Sequence, residues 1–132
     1  MKIFVVSDLH LEFHEDGGRE FLRTLDPRLA DVLVVAGDLC SVGMLYGVLK
    51  VLCERFAHVV YVTGNHEYYG AGRDDVHRVL GAIEPDLPGF HWLHDTEVAI
   101  DGVRFGGATL WFGDDPQNDL YAHALNDFSQ IR

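Results

Sequence analysis

Asp8 and His10 stand two residues apart just beyond the apolar run 3–6; Asp38 follows Gly37 after the run 32–36. Asn65, His66 and Glu67 follow Gly64 after a third run, 59–62. A carboxylate with an imidazole suits manganese, iron or zinc better than magnesium or calcium, which prefer oxygen-only shells. On an extended strand end, residues i and i+2 face one way, so Asp8 and His10 are expected to reach one ion together. Asp38, from a neighbouring strand, can join that ion through one oxygen and bridge to a second ion through the other. Asn65 offers its amide oxygen to the second ion. Glu67 is placed to hydrogen-bond the His66 ring and hold its tautomer. Two ions about 3.5–4 Å apart, sharing a carboxylate and a hydroxide, can clamp the attacking and leaving oxygens of an in-line phosphoryl displacement. One Asp-x-His alone means little, and Gly-Asp means less. Their ordered recurrence at three run ends is what carries information.

Those residues need a scaffold that delivers three strand ends to one rim. Continuous β-branched runs read as strands buried on both faces of a parallel sheet beneath helices. Ligands in such sheets bind beyond the carboxyl ends of the strands. A short helix is expected over 19–25, with Phe21, Leu22 and Leu25 inward, stopped by Asp26-Pro27. Leu45, Val48, Leu49, Leu52 and Phe56 fall on one helical face, with Ser41 as N-cap. A third helix carries Val76, Val79, Leu80 and Ile83 on one side, has Asp74 and Asp75 in its first turn and ends at Glu84-Pro85. Beyond Pro88 come a short strand over 90–93 and a hairpin of 98–100 and 103–105 about Asp101-Gly102. A strand over 106–112, a loop over 114–118 and a weak helix over 120–128 complete the expected order. No internal repeat, linker or low-complexity stretch interrupts it.

The 132 residues fit one domain, with 48% hydrophobic and 23% charged side chains, an ordinary globular mix. Ten basic against twenty-one acidic side chains give a formal net charge of −11, which disfavours binding to nucleic acid backbones. Bound cations would reverse the local sign and let an anionic phosphate approach. Cys40 and Cys53 make no disulfide framework and read as small buried hydrophobes. The N-terminus shows no leader pattern and no run reaches membrane-spanning length, so a cytoplasmic protein without membrane contact is expected.

Asp8-Leu9-His10, Gly37-Asp38 and Gly64-Asn65-His66-Glu67, in this order, resemble the first three motifs of the calcineurin-like metallophosphoesterases. The resemblance is strong over residues 1–70 and one of layout over 90–112. It implies a four-layer α/β/β/α sandwich in which Asp8 and His10 bind the first metal, Asp38 bridges, and Asn65 binds the second. It also implies that His66 is a general acid or transition-state stabiliser rather than a ligand. The family's later Gly-His and Gly-His-x-His motifs have no counterpart, since no Gly-His pair occurs here. The expectation is therefore an α/β chain, 1–132, forming the N-terminal portion of such a domain and lacking its C-terminal strands.

Two functions follow as expectations. The first is hydrolysis of a small phosphomonoester or phosphodiester at a two-metal site, in which a bridging hydroxide attacks phosphorus and His66 serves the leaving oxygen. The second is a truncated or degenerate, catalytically silent domain of the same fold that acts through metal or partner binding. An open sheet edge and bare apolar strand faces would promote self-association. His14 is a weaker candidate for a substrate contact, and His77, His91, His94 and His123 read as surface or core histidines. Tyr68 and Tyr69 read as cleft lining or aromatic packing. Gly17-Gly18 is a turn rather than a phosphate loop, and Ser7 and Thr109 lack an adjacent base.

Overall fold

The structure, a computed structural model, describes residues 1–110 and 124–131. Four strands, β1 (Ile3–Val6), β2 (Val32–Ala36), β3 (His58–Val62) and β4 (Phe90–Trp92), form one all-parallel sheet in the order β1-β2-β3-β4. Helices α1 (Arg19–Thr24), α2 (Leu45–Arg55) and α3 (Arg73–Ile83) provide the crossovers. The hairpin β5 (Thr96–Ile100) and β6 (Val103–Gly107) forms a separate antiparallel sheet. A four-residue helix, α4 (Asp127–Gln130), follows.

Strand periodicity divides the core in two. Leu33, Val35, Val59 and Tyr61 join Leu22, Leu45, Leu49, Leu52, Val76 and Leu80 in the cluster under the helices. Val32, Val60 and Leu93 pack with Ile100 against the hairpin, flanked by Val34, Val62, Val98 and Phe105. The described residues thus build three layers: helices, parallel sheet and hairpin. The helical faces expected for α2 and α3 are the buried ones, with Leu45, Leu49, Leu52, Val76 and Leu80 fully buried. Among the described residues no helix is long and apolar enough to cross a membrane.

Several local expectations need correction. Ser41 does not cap α2 with its side chain; it precedes a 3-10 turn, Val42–Met44, that runs directly into the helix at Leu45. The last strand stops at Gly107, so residues 108–110 are not strand, and 111–112 lie outside the described residues. The 114–118 loop and His123 also lie outside them, and the described helix near the end begins only at Asp127. The hairpin turn is as expected: Asp101 and Gly102 both have positive φ (48° and 81°), as a type I′ turn requires.

The largest departure is β1. As an edge strand it buries Phe4 and Val6 partly toward the helices, but Ile3 and Val5 on the hairpin side are 46% and 59% exposed. The hairpin packs over β2 and β3 without burying Ile3 and Val5, and an open cleft of about 750 Å³ lies between it and the sheet, lined by Val34, Val60, Val62, Phe105 and Leu110. A bare β-branched face of this kind favours association. Sedimentation velocity at rising concentration is expected to show self-association. The double variant Ile3→Lys, Val5→Lys should shift the protein to monomer; unchanged association in that variant would place the contact elsewhere.

Candidate metal centre

The chain leaves β1, β2 and β3 through three turns that lie side by side. The segment after β1 is tied to the one after β2 by backbone bonds from Asp8 N to Gly37 O (3.1 Å), His10 N to Asp38 O (3.0 Å) and Leu11 N to Leu39 O (3.0 Å). Asp8, His10 and Asp38 all adopt left-handed backbone conformations, with φ of 54°, 46° and 52°. Each such non-glycine residue costs about 1–2 kcal/mol, so these turns persist because their surroundings fix them. The strand-alternation reason for pairing Asp8 with His10 therefore does not apply, because β1 has ended at Val6. The left-handed turns gather the side chains instead: donor atoms of Asp8, His10 and Asp38 all lie within 4.8 Å of one another.

The glycines of the second and third motifs permit this proximity. Gly37 has φ 88°, and its missing side chain would stand 3.0 Å from Gly64 Cα. A Cβ on Gly64 would stand 2.6 Å from Asp38 N and 2.7 Å from its carboxyl carbon. Only glycine lets the two turns pack back to back in this way.

Glu67 locks them together. It is fully buried, and its carboxylate accepts from four donors: Leu39 N (2.8 Å), Asp38 N (3.2 Å), Gly64 N (2.9 Å) and the Tyr61 hydroxyl (2.7 Å). Burial raises its carboxyl above the ordinary value, while the Tyr61 hydroxyl and the backbone N–H groups pull it back down. Tyr61, buried beside that carboxylate, has its hydroxyl pushed well above the usual range and stays a donor. The expected bond from Glu67 to the His66 ring is not made. All the hydrogen bonds of Glu67 just described go to backbone N–H groups and Tyr61.

The His66 ring is held by a residue that the motifs did not point to. Its Nδ1 lies 2.8 Å from Glu12 Oε1, and because a carboxylate only accepts, Nδ1 carries the proton. The ring stacks on Tyr69 at 4.4 Å and meets His10 edge-on at 4.2 Å, with the exposed Phe13 at 5.9 Å on the rim. His10, Glu12 and His66 form a second group of donors within 4.8 Å. The signal for Glu12 was its place two residues past His10; left-handed His10 opens the 3-10 turn Leu11–Phe13 that carries it back.

Asp38 divides its oxygens between these groups. Oδ1 accepts the His66 backbone N–H at 2.9 Å, and Oδ2 is 4.0 Å from His10 Nε2. Asn65 donates from Nδ2 to the Tyr69 hydroxyl (3.0 Å) and to Asp127 Oδ1 (2.6 Å), and the Tyr69 hydroxyl donates to the same oxygen at 2.7 Å. The residues fit a metal. His10 Nδ1 and Glu12 Oε2 are buried without a hydrogen-bond partner, and mixed carboxylate and imidazole donors suit first-row transition ions.

The remaining candidates fall away from this centre. His14 sits near Phe21; His77 and His94 pack about Trp92; His91 pairs with His58. Tyr68 is core, its hydroxyl 2.8 Å from Thr63, whose own hydroxyl meets Thr109 at 2.6 Å. Burial pushes the Cys40 and Cys53 thiols up to about 12 and about 11, so neither is a nucleophile. Glu67→Gln puts an NH₂ group among four donors, and each donor left unpaired costs about 1–3 kcal/mol. The urea midpoint should fall with an unchanged slope, and metal affinity should fall with it. An unchanged midpoint would show that Glu67 does not hold the turns.

The calcineurin-like phosphoesterase family model matches residues 1–128. No curated protein gives a significant match. The crystal structure of phosphopantetheinyl hydrolase from Mycobacterium tuberculosis superposes with a TM-score of 0.67 at 18% identity, over 99% of this chain and 55% of that one. The likeness at that identity is one of fold, and this chain spans 55% of that neighbour's length. With the motif residues gathered at the carboxyl ends of β1, β2 and β3, the match over nearly the whole length means that the chain belongs to the calcineurin-like phosphoesterases.

Proposed function

We propose that the chain is a two-metal phosphoesterase acting on a small phosphomonoester or phosphodiester. The observation that carries this reading is the convergence of Asp8, His10 and Asp38 within 4.8 Å at one sheet rim. Those three would hold the first divalent ion (manganese, iron or zinc), and Asp38 with Asn65 would hold the second. Bound there, the ions would supply Lewis-acid neutralisation of phosphate charge and an activated water. They would also offset the carboxylates that otherwise repel an anionic substrate.

The chain's own residues then divide the work. Asp38 would serve both ions, its Oδ1 held in place by the His66 N–H. His66 meets the leaving oxygen through Nε2, because Glu12 already occupies Nδ1. Proton transfer from such a positioned imidazole is worth about 10²–10⁴-fold in rate. Glu67 supports the centre by holding the turns in place.

The test is manganese stoichiometry on the purified chain, beside hydrolysis of an aryl phosphomonoester and an aryl phosphodiester. Two bound ions with turnover are expected. Asp38→Ala should lose both, whereas His66→Asn should keep the ions and lower kcat by about 10²–10⁴-fold. One ion or none, without turnover, would favour a silent domain acting by metal or partner binding. The preferred ester sets mono- against diesterase.

A further inference from the structure

Asparagine is an ambiguous ligand, because its amide can present either oxygen or nitrogen to an ion. At Asn65 the ambiguity is removed by Asp127. A carboxylate oxygen can only accept, so the side of the amide that faces Asp127 Oδ1 at 2.6 Å must be the NH₂ group. The second N–H is taken by the Tyr69 hydroxyl at 3.0 Å, and that hydroxyl's proton goes to the same Asp127 oxygen at 2.7 Å. The three side chains form a closed triangle with every donor matched to an acceptor. Both amide hydrogens are committed within it, and Oδ1 is the atom left to face an ion.

Tyr69 links the triangle to the catalytic side, since its ring stacks on His66 at 4.4 Å. The carboxylate comes from far along the chain. Asp127 opens α4, and that helix is docked by the bond from Gly70 N to Gln130 O (2.8 Å) and by Ile131 against the helical core. We infer that Asp127, with Tyr69, is a positioning residue that locks the Asn65 amide with Oδ1 toward the second ion. The inference rests on the two-metal reading above. It gives α4 a role in assembling the centre, although Asp127 is not among the donors gathered within 4.8 Å.

The test is a manganese binding isotherm followed by electron paramagnetic resonance on the full chain, resolving the tighter from the weaker ion. Loss of an orienting partner outside the ligand set typically costs about 10–100-fold in metal affinity. Asp127→Ala should weaken the second ion by that factor and leave the first unchanged. Asp127→Asn, which keeps the shape and a weaker acceptor, should fall between, and Tyr69→Phe should give a smaller loss of the same kind. In an Asn65→Ala background, Asp127→Ala should add nothing, because the two act through one atom. A purely structural role for Asp127 would lower thermal stability and weaken both ions alike, and would overturn the inference. Two ions with unchanged affinities in Asp127→Ala would overturn it while leaving the two-metal reading intact. A wild-type chain that binds a single ion would overturn both.

Discussion

The Glu67 carboxylate, buried between the turns that follow β2 and β3, is the interaction on which the candidate metal centre depends. Its acceptors meet backbone N–H groups of Asp38, Leu39 and Gly64, so it fixes main chain from two motifs at once. A buried carboxylate is costly unless its lone pairs are filled, and here four donors fill them. The consequence runs outward. With the second and third turns locked, Gly37 and Gly64 can pack face to face, and Asp38 is carried to within reach of His10. The segment after β1 then zips onto Gly37, Asp38 and Leu39 by three backbone bonds, which hold Asp8 and His10 in their left-handed conformations.

Parallel topology explains why this arrangement is reachable from a short sequence. Strand order equals chain order, so after each helical crossover the next strand end lands beside its predecessor. The helices pack on one face and the hairpin on the other, so the carboxyl rim lies between the two packed layers. The left-handed backbones of Asp8, His10 and Asp38, costing about 1–2 kcal/mol at each residue, rest on the core beneath. Leu33, Val35, Val59 and Tyr61 anchor β2 and β3 there.

The sheet, the helical faces and the hairpin turn were legible because each rests on local periodicity or on a two-residue turn chemistry. The meeting of Asp8, His10 and Asp38 was legible because motif residues follow apolar runs without a gap. What sequence could not show is orientation. Asp8 and His10 were paired by strand alternation, yet left-handed turns bring them together. Glu67 was assigned to the His66 ring, yet its burial turns it to the backbone. Glu12 was passed over because its partner lies 54 positions away, and Asp127 because 62 positions separate it from Asn65. β1 misled for another reason: a run of β-branched residues does not reveal how far its second face is covered, and Ile3 and Val5 are 46% and 59% exposed.

The carboxylates of the centre follow one logic once those partners are known. Glu12 accepts from the His66 ring, Asp127 from the Asn65 amide, and Glu67 from the backbone. Glu12 and Asp127 each occupy the donating side of a group that has two sides. An imidazole whose Nδ1–H is committed can act only through Nε2, and an amide whose NH₂ is committed can act only through its oxygen. Asp8 and Asp38 carry no such burden on their remaining oxygens, and they are the two that gather with His10. An excess of acid that looks like mere surface charge in the composition is therefore divided at the centre into two tasks. Asp8 and Asp38 gather with His10, and the others fix which atom of a neighbouring ring or amide is left uncommitted.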